Sequence, residues 1–403
     1  MARRILLLDT GKEWGGGTNS LFELLKRIDR RRFAIDALFY RNYPKGKDAD
    51  LRAELAALGV SLDLLPPRAQ PLWAKLAKEL VRGLLRPFPA ARARALFAIE
   101  RRWRIDPAAA GIAERLRRGG FDLLYMNNQP SSNLEGYLAA ELAGVPVVQH
   151  CRSNARLIPE EADIVNRVAR RLLCVSAGVR DRLVEQGVRA DLCAIVHNAI
   201  DVRQALPAPV ALPGVAPGTV TLGAIGSLLP RKACDHILRA LARLAEGGRC
   251  PAHLVLVGDG PERARLERMT TELGLGQAVS FAGFRNDPLS WIAALDIVVL
   301  ASDNEGFPRV ILEAMLLGKP VIGSDVIGTR ELIAHGETGF LYPFGDIDRL
   351  AGHLRTLLAD PALRQRLGET GRKRVVERHS IEAYVSAVER HLDEATASPF
   401  PPS

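Results

Sequence analysis

The stretch LDIVVLASDNEGFPRVILEAMLLGKPVIGSD, residues 295–325, decides the fold because it holds one complete strand–helix–strand unit. Its two outer runs, LDIVVLAS and KPVIGSD, are continuously apolar, which is typical of parallel strands covered by helices on both faces. Between them, Pro308 fits the first helical position, Gly318 fits the position just past the helix, and Pro320 prevents continuation. The unit predicts a buried helix between two parallel strands.

The same alternation of short apolar runs and longer helical patterns extends along the whole chain. We predict six earlier strands from RILLLD, FAIDALFY, FDLLYM, VPVVQH, RLLCVS and LCAIVHN. A second set begins near residue 219 with TLGAIGS, HLVLVGDG and AVSFAG and ends with the two strands above. The fold class is therefore α/β, with two Rossmann-like, doubly wound parallel-sheet domains that face a cleft. Ligands in such sheets bind outside the carboxyl ends of the strands.

The predicted organisation is an N-terminal domain of residues 1–200, a linker at 201–218 and a C-terminal domain of residues 219–378. The linker is predicted from its Pro- and Ala-rich composition. Residues 379–403 are predicted to contain a last helix that returns to the N-terminal domain, followed by a disordered tail, ASPFPPS. The length of 403 residues fits two or three globular domains.

Composition argues against several classes of protein. Aromatic residues make up 5% of the chain, too few for a stacking surface that binds single-stranded nucleic acid, so no nucleic-acid partner is expected. The apolar run in MARRILLLD is too short for a signal sequence, and no run approaches the roughly 18 apolar residues that cross a bilayer. The five cysteines form no Cys-x-x-Cys pair and are typical of reduced core thiols, so we expect a cytoplasmic protein.

The net charge of +9 is concentrated in residues 68–118. This segment contains thirteen Lys or Arg and four Asp or Glu, an excess equal to the net charge of the whole chain. Cations alternate with apolar residues, among them Trp73 and Trp103, at helical spacing, which is typical of an amphipathic element on a membrane surface. We expect peripheral association with an anionic membrane on its inner face. The alternative is a set of exterior helices whose cations face water.

Two carboxylates lie beside and inside the apolar helix described above, Glu305 just before it and Glu313 within it. An unpaired buried carboxylate costs on the order of several kcal/mol, so Glu313 needs a partner. The helix start offers unpaired N–H groups and a positive dipole end, which suit a phosphate or a ring of hydroxyls. One interpretation is a ligand bound by both acids. The alternative is an internal salt bridge for Glu313 and a solvated loop for Glu305.

A glycine-rich turn follows the first strand. Gly15, Gly16 and Gly17 permit close approach of the backbone to a phosphate or sugar, and Thr18 or Asn19 is expected to cap the next helix. The spacing is not Gly-x-Gly-x-x-Gly, so a nicotinamide dinucleotide site is not supported. A merely tight turn is the alternative.

Three further strand ends carry candidate ligand residues. Arg231 and Lys232 open a helix, where two cations at the positive dipole end are unfavourable unless an anion such as a diphosphate lies between them. His150 ends the strand VPVVQH, and Glu331 begins another helix. The alternatives are a solvated Arg–Lys pair and a structural histidine.

The order of WGGG, QH, VSAGVRDRLVEQGV, HNAID, GSLLPRKA, DNEGFPRVILEAM and GKPVIGSDVIGTRELIAHGETGFLY resembles glycosyltransferase family 4, retaining enzymes of GT-B architecture. The resemblance is dense over residues 170–345. It implies that Glu305 binds hydroxyls of the donor sugar and that Glu313 binds the ribose. It also implies that Lys232 contacts the donor phosphates, that His150 lies near the reacting sugar, and that the glycine loop closes over the diphosphate.

Two departures from the family pattern affect the expected site. The family often has Gly-Arg where this chain has Gly226-Ser227, so Arg231 is the candidate substitute for the missing cation. A paired glycine of the family is Ile327-Gly328 here, which changes the loop near the donor sugar.

Further donor contacts are expected from the backbone at the helix start and from one more loop. The amides of Phe307, Arg309 and Val310 can reach the sugar or phosphate, whereas Pro308 contributes no donor. Arg285, in SFAGFRND, is placed near the base.

The expected function is a metal-independent retaining glycosyltransferase of the hexosyltransferase type. Its donor would be a UDP- or GDP-linked sugar, and no cofactor is expected. The acceptor would be a hydroxyl of a glycan or lipid-linked molecule, in cell-surface polysaccharide or lipopolysaccharide biosynthesis. The alternatives are a GT-B-related nucleotide-sugar epimerase and, from a different class, a basic polyanion-binding protein.

Overall fold

In the computed structural model, the described residues are 2–9, 11, 14–46, 49–245 and 250–397. The chain divides into two compact units. Unit 1 contains the residues up to Val196 and those from Val385 onward, and unit 2 contains His197–Tyr384. The predicted disordered tail, apart from its first residue, lies outside the described residues.

Unit 1 is built on a parallel sheet. The strands of the unit are β1 (Arg3–Asp9), β2 (Phe33–Phe39), β3 (Pro44–Lys45), β4 (Ala49–Asp50), β5 (Ser61–Leu64), β6 (Leu123–Met126), β7 (Val147–Cys151), β8 (Ala169–Cys174) and β9 (Cys193–Ile195). Of these, β3 and β4 form a separate antiparallel pair. Its helices are α1 (Gly16–Arg27), α2 (Leu51–Ala57), α3 (Leu72–Leu84), α4 (Pro89–Glu100), α5 (Asp106–Gly119), α6 (Leu134–Ala143), α7 (Pro159–Val168) and α8 (Ala177–Glu185). The seven-stranded sheet has the order β5-β2-β1-β6-β7-β8-β9, so the winding direction reverses between β1 and β6.

Unit 2 contains a second parallel sheet. Its strands are β10 (Val220–Ile225), β11 (Ala252–Val257), β12 (Val279–Gly283), β13 (Ile297–Leu300), β14 (Val321–Ser324) and β15 (Gly339–Tyr342). Its helices are α9 (Cys234–Ala245), α10 (Arg263–Glu272), α11 (Pro288–Ala293), α12 (Arg309–Leu316), α13 (Thr329–Leu332), α14 (Ile347–Ala359) and α15 (Pro361–Arg378), and α16 (Ile381–Ala397) follows. The strand order is β12-β11-β10-β13-β14-β15, with the reversal between β10 and β13. Open α/β sheets bind ligands at such a switch point.

The predicted α/β fold with two parallel sheets is confirmed, and each of the eleven predicted strands is present. Besides the two-residue strands β3 and β4, the prediction omitted β5 and β15. Both have four residues, β5 alternates polar and apolar side chains, and β15 begins with a glycine. A short strand of this kind lacks the continuous apolar run by which the others were recognised.

Helix α12 begins one residue later than predicted. Pro308 is its N-cap residue, with extended backbone, and is not the first helical residue. Gly318 follows the helix in the left-handed conformation (φ 68°), as predicted, and releases the chain towards β14. Ile311, Leu312 and the residues from Ala314 to Leu316 are buried, so the apolar face packs into the core of unit 2.

The chain crosses between the units at positions that differ from the predicted boundaries. The first crossing follows Val196, four residues before the predicted boundary, because Asn198 and Ile200 already hydrogen-bond to residues of unit 2. The return falls within α16, and the carboxylate of Glu389 on that helix accepts hydrogen bonds from the Asp29 amide (2.8 Å) and the Arg32 guanidinium (2.7 Å) in unit 1.

The basic segment forms α3, α4 and α5, and a π-helical turn, Arg101–Ile105, joins the last two helices. One face of α5 is buried and belongs to the core of unit 1. By contrast, α3 buries only Ala74. Among the described helices, none is long and apolar enough to span a bilayer.

Replacing Gly368 tests the packing of α15 against the end of α12. A Cβ atom at Gly368 would lie 1.9 Å from the carbonyl oxygen of Gly318, whereas one at Gly352 on α14 would meet no described atom within 4 Å. We expect Gly352→Ala to stabilise unit 2 by about 0.5–1 kcal/mol, the usual gain for alanine in a helix. Gly368→Ala should instead destabilise it. Chemical denaturation measures both variants, and equal stabilities would contradict the contact.

Candidate active site

The loop after β10 carries the two predicted cations. Arg231 and Lys232 lie on a 3-10 turn, Pro230–Lys232, and α9 begins two residues later at Cys234, after Ala233 in the left-handed conformation. They therefore precede the helix and do not open it, which corrects the prediction. The Lys232 side chain is 15% exposed and lines a small pocket at the carboxyl end of β10, together with Gly226 and Ser227.

A neighbouring glycine turn fixes the backbone of this loop. Gly258 has φ 141°, and a Cβ atom there would lie 2.0 Å from the carbonyl oxygen of Gly226. The Leu228 amide donates to the carbonyl of Asp259 at 2.8 Å. Only glycine permits this approach of the two backbones, so the turn after β11 sets the position from which Lys232 extends.

Glu305, on the loop after β13, pairs with both cations. Its carboxylate oxygen lies 2.5 Å from Nζ of Lys232 and 3.7 Å from Nη1 of Arg231. The Glu305 side chain is 11% exposed, so the alternative of a solvated loop is wrong. The Asp303 amide also donates to the Arg231 carbonyl at 2.9 Å. These contacts join the loop after β10 to the loop after β13.

Glu313 has a partner within its own helix. Its carboxylate lies 3.5 Å from Nε of Arg309, one turn earlier, and both side chains are 12% exposed. Arg309 also donates from Nη1 to the carbonyl of Ala199 at 3.0 Å. The internal salt bridge considered as an alternative is therefore present. The prediction had assigned only the backbone amide of Arg309 a role, and its side chain provides this pairing.

The helix start retains the predicted backbone donors. Arg309 and Val310 are the first two residues of α12, and first-turn amides have no acceptor within the helix. Phe307 lies just before the N-cap, with its ring 3% exposed, and its carbonyl accepts a hydrogen bond from Asn198 at 2.8 Å. The Phe307 side chain therefore packs in the interior, in addition to the role expected of its backbone amide.

Gly328 packs against the backbone of the loop that carries Glu305. Its φ is 77°, and a Cβ atom there would lie 2.2 Å from the carbonyl oxygen of Gly306 and 3.0 Å from that of Glu305. The family has two glycines where this chain has Ile327-Gly328. This chain keeps glycine at position 328, where the close contact requires it. Glu331, on α13, lies with its carboxylate 3.9 Å from Nε2 of His197.

Arg285 is placed apart from the acid–cation pair. It is exposed after β12, and its guanidinium lies over the ring of Trp291 at 4.8 Å from the centroid. None of its described contacts involves Lys232 or Glu305. Its predicted role at the base stays a prediction.

His150 lies inside a strand of unit 1 and not at its end. β7 continues to Cys151, and the imidazole is completely buried with Nδ1 2.8 Å from the Tyr125 hydroxyl. Burial, together with the charge of Arg152, holds the pKa of His150 well below its usual value, so the ring is neutral at pH 7. This contact fits the structural-histidine alternative, and a role beside the reacting sugar stays a prediction.

The glycine turn begins α1. Gly15 is the N-cap residue, and Gly16 and Gly17 are the first two helical residues, so neither Thr18 nor Asn19 caps the helix as predicted. Asn19 instead accepts a hydrogen bond from the Trp14 indole at 2.7 Å.

A buried polar network beside this turn was missed by the sequence reasoning. Asp9, at the carboxyl end of β1, accepts hydrogen bonds from the Gly11 amide (2.7 Å) and from Nδ2 of Asn127 (2.7 Å) and Asn128. Arg152 donates to Asn127 at 2.8 Å. Burial raises the pKa of Asp9, and the Asn127 hydrogen bond opposes that rise. The network lies at the switch point of unit 1, and an aspartate ending the first strand was its only signal in the sequence.

The charged side chains and the helix-start amides at the switch point of unit 2 define the chemistry that this unit can perform. The switch point presents an ammonium and a guanidinium for an anionic group, a carboxylate for hydroxyls, and amides at a helix start. Among the described residues, no group of three or more His, Cys, Asp or Glu side chains is arranged to hold a metal ion. A phosphorylated sugar is the kind of ligand that matches this set.

Comparison with known proteins agrees with the fold and the motifs. Residues 14–204 match the model of Glycosyltransferase Family 4, and residues 214–374 match that of Glycosyl transferases group 1. The chain is 30% identical over 343 residues to the 2-deoxystreptamine glucosyltransferase of Streptomyces kanamyceticus, a match that covers 76% of this chain and 87% of that protein. The fold is GT-B, and the chain belongs to glycosyltransferase family 4.

Two other similarities are to a curated relative and to a solved structure. The chain is 30% identical over 219 residues to the lipopolysaccharide core biosynthesis glycosyltransferase LpsE of Rhizobium meliloti. That match covers 54% of this chain and 62% of LpsE, so it spans less than two thirds of that relative. Among solved structures, Anabaena HepE in complex with UDP-glucose superimposes with a TM-score of 0.75 at 24% identity, covering 97% of this chain and 99% of HepE.

Gly328→Ala tests whether the contact below the acidic loop positions Glu305. The added methyl group would clash with the carbonyl of Gly306 and move the loop, so we expect weaker binding of a nucleotide sugar in a calorimetric titration. Gly345→Ala is the matched control, because Gly345 also has a positive φ (89°) but its Cβ would meet no described atom within 4 Å. Equal affinities of the two variants for the nucleotide sugar would contradict the role of the contact.

Proposed function

We propose that this protein is a retaining glycosyltransferase that moves a sugar from a nucleoside diphosphate donor to a hydroxyl of an acceptor. The observation that carries the proposal is the nearly buried ion pair of Glu305 with Lys232, reinforced by Arg231, at the switch point of unit 2. Membership of glycosyltransferase family 4 supports it. The named relatives are transferases, which favours transfer over epimerisation and over polyanion binding.

The cations would stabilise the leaving group. Cleavage of the bond between the anomeric carbon and the donor leaves negative charge on the terminal phosphate of the nucleoside diphosphate. The Lys232 ammonium has three N–H donors, of which the Glu305 carboxylate engages one, so others remain for phosphate oxygens. Arg231, about half exposed, supplies a second charge near the same carboxylate. We therefore infer that protein cations perform the electrostatic work and that transfer needs no metal.

The carboxylates would orient the donor. Glu305, paired with Lys232 and Arg231, accepts hydrogen bonds from hydroxyls of the sugar. Glu313, held by Arg309, accepts them from the ribose diol. The amides of Phe307, Arg309 and Val310 would contribute further donors. The family resemblance implies that Gly16 and Gly17 lie at the diphosphate and that His150 lies near the sugar. Glu331 would be a further carboxylate for the donor, and Arg285 would lie near the base.

The reaction would retain the configuration of the anomeric carbon. The acceptor hydroxyl would attack on the face that the diphosphate leaves, and a phosphate oxygen of the leaving group would take its proton. The glycosidic bond then forms as the sugar–phosphate bond breaks, and the nucleoside diphosphate departs with the proton. None of these steps requires a nucleophilic side chain.

The substrates are proposed from chemistry and from the relatives together. The HepE complexes with UDP and UDP-glucose favour a UDP-linked donor, with a GDP-linked donor as the second candidate. The match with LpsE favours a glycan or lipid-linked acceptor in lipopolysaccharide or other cell-surface polysaccharide biosynthesis. Such an acceptor places the reaction at the cytoplasmic side of the membrane.

Glu305→Gln should abolish acceptor-dependent release of nucleoside diphosphate while the melting temperature stays near that of the wild type. Lys232→Ala should lower kcat by about 10²-fold or more, because it removes a donor to the leaving group. Glu272→Gln, an exposed carboxylate on α10, is the matched control and should retain full activity. The assay is run in excess chelator, where loss of wild-type activity would contradict the metal-free mechanism. An active Glu305→Gln variant would remove that residue from it.

We further propose that α3 binds an anionic membrane. Leu72, Leu76, Leu80 and Leu84 recur every four residues, and each is at least 62% exposed, so they form an apolar stripe along one side of the helix. Trp73, 46% exposed, extends this stripe. Such a stripe is unfavourable in water but suits the boundary between headgroups and acyl chains.

The charges beside the stripe favour a lipid surface as its partner. Lys75 is exposed on α3, and Arg82 and Arg86 follow near its end. A pocket at the start of the helix is lined by Arg68 and Arg102 with the rings of Trp73 and Trp103. Cations near an anionic bilayer contribute roughly 1 kcal/mol each. The alternative of water-facing exterior helices does not account for the exposed leucines.

The paired substitution Leu76→Asp and Leu80→Asp tests this surface. We expect the wild type to sediment with vesicles that contain anionic lipid but not with neutral vesicles, and the paired variant to remain in the supernatant. Leu142→Asp is the control, because Leu142 is an exposed leucine (55%) on α6 of the same unit. Equal sedimentation of the paired variant and the wild type would contradict the proposal.

A further inference from the structure

Three consecutive residues at the start of unit 2 contact the segment between the two carboxylates. The imidazole of His197 stacks face to face on the ring of Phe307, with centroids 4.6 Å apart and planes inclined by 3°. Asn198 donates from Nδ2 to the Phe307 carbonyl at 2.8 Å, and the Ala199 carbonyl accepts from Arg309 at 3.0 Å. The segment His197–Ala199 therefore contacts the residues on both sides of Pro308.

A second histidine completes the packing around Phe307. The His379 ring lies 5.4 Å from that of Phe307 and 5.7 Å from that of His197. The Ile200 amide donates to the His379 carbonyl at 3.0 Å, which ties the two histidine segments together. Phe307, Asn198 and His379 are each less than 8% exposed, so this packing is part of the interior of unit 2.

The packing around Phe307 affects both carboxylates because Phe307 lies between them in the sequence. Glu305, which pairs with Lys232, lies two residues before Phe307, and Arg309, which pairs with Glu313, lies two residues after it. The backbone at Phe307 thus connects the two acid–cation pairs. Fixing both its carbonyl and its ring limits the freedom of both carboxylates.

Both imidazoles are suited to apolar stacking because they are uncharged at neutral pH. Burial lowers the pKa of His197, although Glu331 opposes this shift. Burial also lowers the pKa of His379 to about 4, and the charges of Arg374 and Arg378 add to that effect. A neutral ring loses less hydration than an imidazolium when it packs on phenylalanine.

We propose that His197 and Asn198 are positioning residues for donor recognition, which hold Phe307 so that Glu305 and Glu313 face the nucleotide sugar together. This role rests on the proposed function of the two glutamates. It makes the segment HNAI, residues 197–200, part of the donor site without direct contact with the donor. Misplacement of a binding group by about 1 Å can reduce a rate by about 10²-fold, so a small shift at Phe307 is consequential.

The test compares two stacks of equal geometry. His353, on α14, stacks on Phe340 with the same centroid distance of 4.6 Å and the same inclination of 3°. His197→Leu and His353→Leu each keep most of the side-chain volume but lose the face-to-face ring contact. We expect both variants to lower the melting temperature, but only His197→Leu to lower kcat/KM for the nucleotide sugar, by about tenfold or more. His197→Phe, which restores a stacking ring, should recover most of the loss.

The outcomes separate this inference from the proposed function. Unchanged kcat/KM in His197→Leu, or a His197→Phe variant as impaired as His197→Leu, would overturn the positioning role while leaving the transferase intact. Should His197→Leu fail to fold, Phe307→Leu removes the other ring of the stack and must show the same loss. A fully active Glu305→Gln in the same assay would overturn both. If the wild type transfers no sugar, UDP affinity of His197→Leu relative to His353→Leu still decides, and equal affinities would overturn the inference.

Discussion

The carboxylate of Glu305 is almost excluded from water, and the arrangement of unit 2 follows from the need to keep it paired. Its partner Lys232 lies 73 residues earlier, on a loop from the other side of the switch point. A parallel sheet brings these loops together because every strand ends at the same edge. The strand order β12-β11-β10-β13-β14-β15 makes the ends of β10 and β13 neighbours. The fold thereby creates the pair, which places two cations and a carboxylate at this edge of the sheet.

Glycines make that geometry attainable. The turn after β11 approaches the Lys232 loop so closely that Gly258 has no room for a side chain, and Gly328 does the same beneath Glu305. Each contact is between backbones, and each restricts a loop that carries a charged side chain. Rigid support of this kind lowers the cost of ordering the site when a ligand binds.

Much of the fold could be predicted because parallel strands buried on both faces are continuous apolar runs. Such runs located eleven strands and the helix α12. The edge strands β5 and β15 were not predicted, since β5 alternates polar and apolar residues and β15 begins with a glycine. The predicted start of α12 was wrong by one residue because a proline suits both the N-cap and the first helical turn. The first crossing between the units differs from the predicted boundary because it depends on hydrogen bonds at Asn198 and Ile200 and not on composition.

Lys232 and Glu305 were chosen as candidates because each is a charged residue in the segment after a strand, and Glu313 because it is a carboxylate within an apolar helix. What the sequence could not reveal are the contacts between distant segments. Asn198 and Phe307 are 109 positions apart, and Asp9 and Asn127 are 118 apart, so no local spacing links them. His150 shows the converse limit, because a histidine near a strand end has the same appearance in the sequence whether it faces a ligand or, as here, bonds to Tyr125 inside the sheet.

The most direct measurement is a crystal structure of the protein with an intact nucleotide sugar, such as UDP-glucose or an unreactive analogue. We expect sugar hydroxyls within about 2.6–3.2 Å of the Glu305 carboxylate, the ribose diol on Glu313 and the diphosphate on Lys232. A nucleotide sugar bound elsewhere, with Glu305 and Glu313 still engaged only by Lys232 and Arg309, would contradict it.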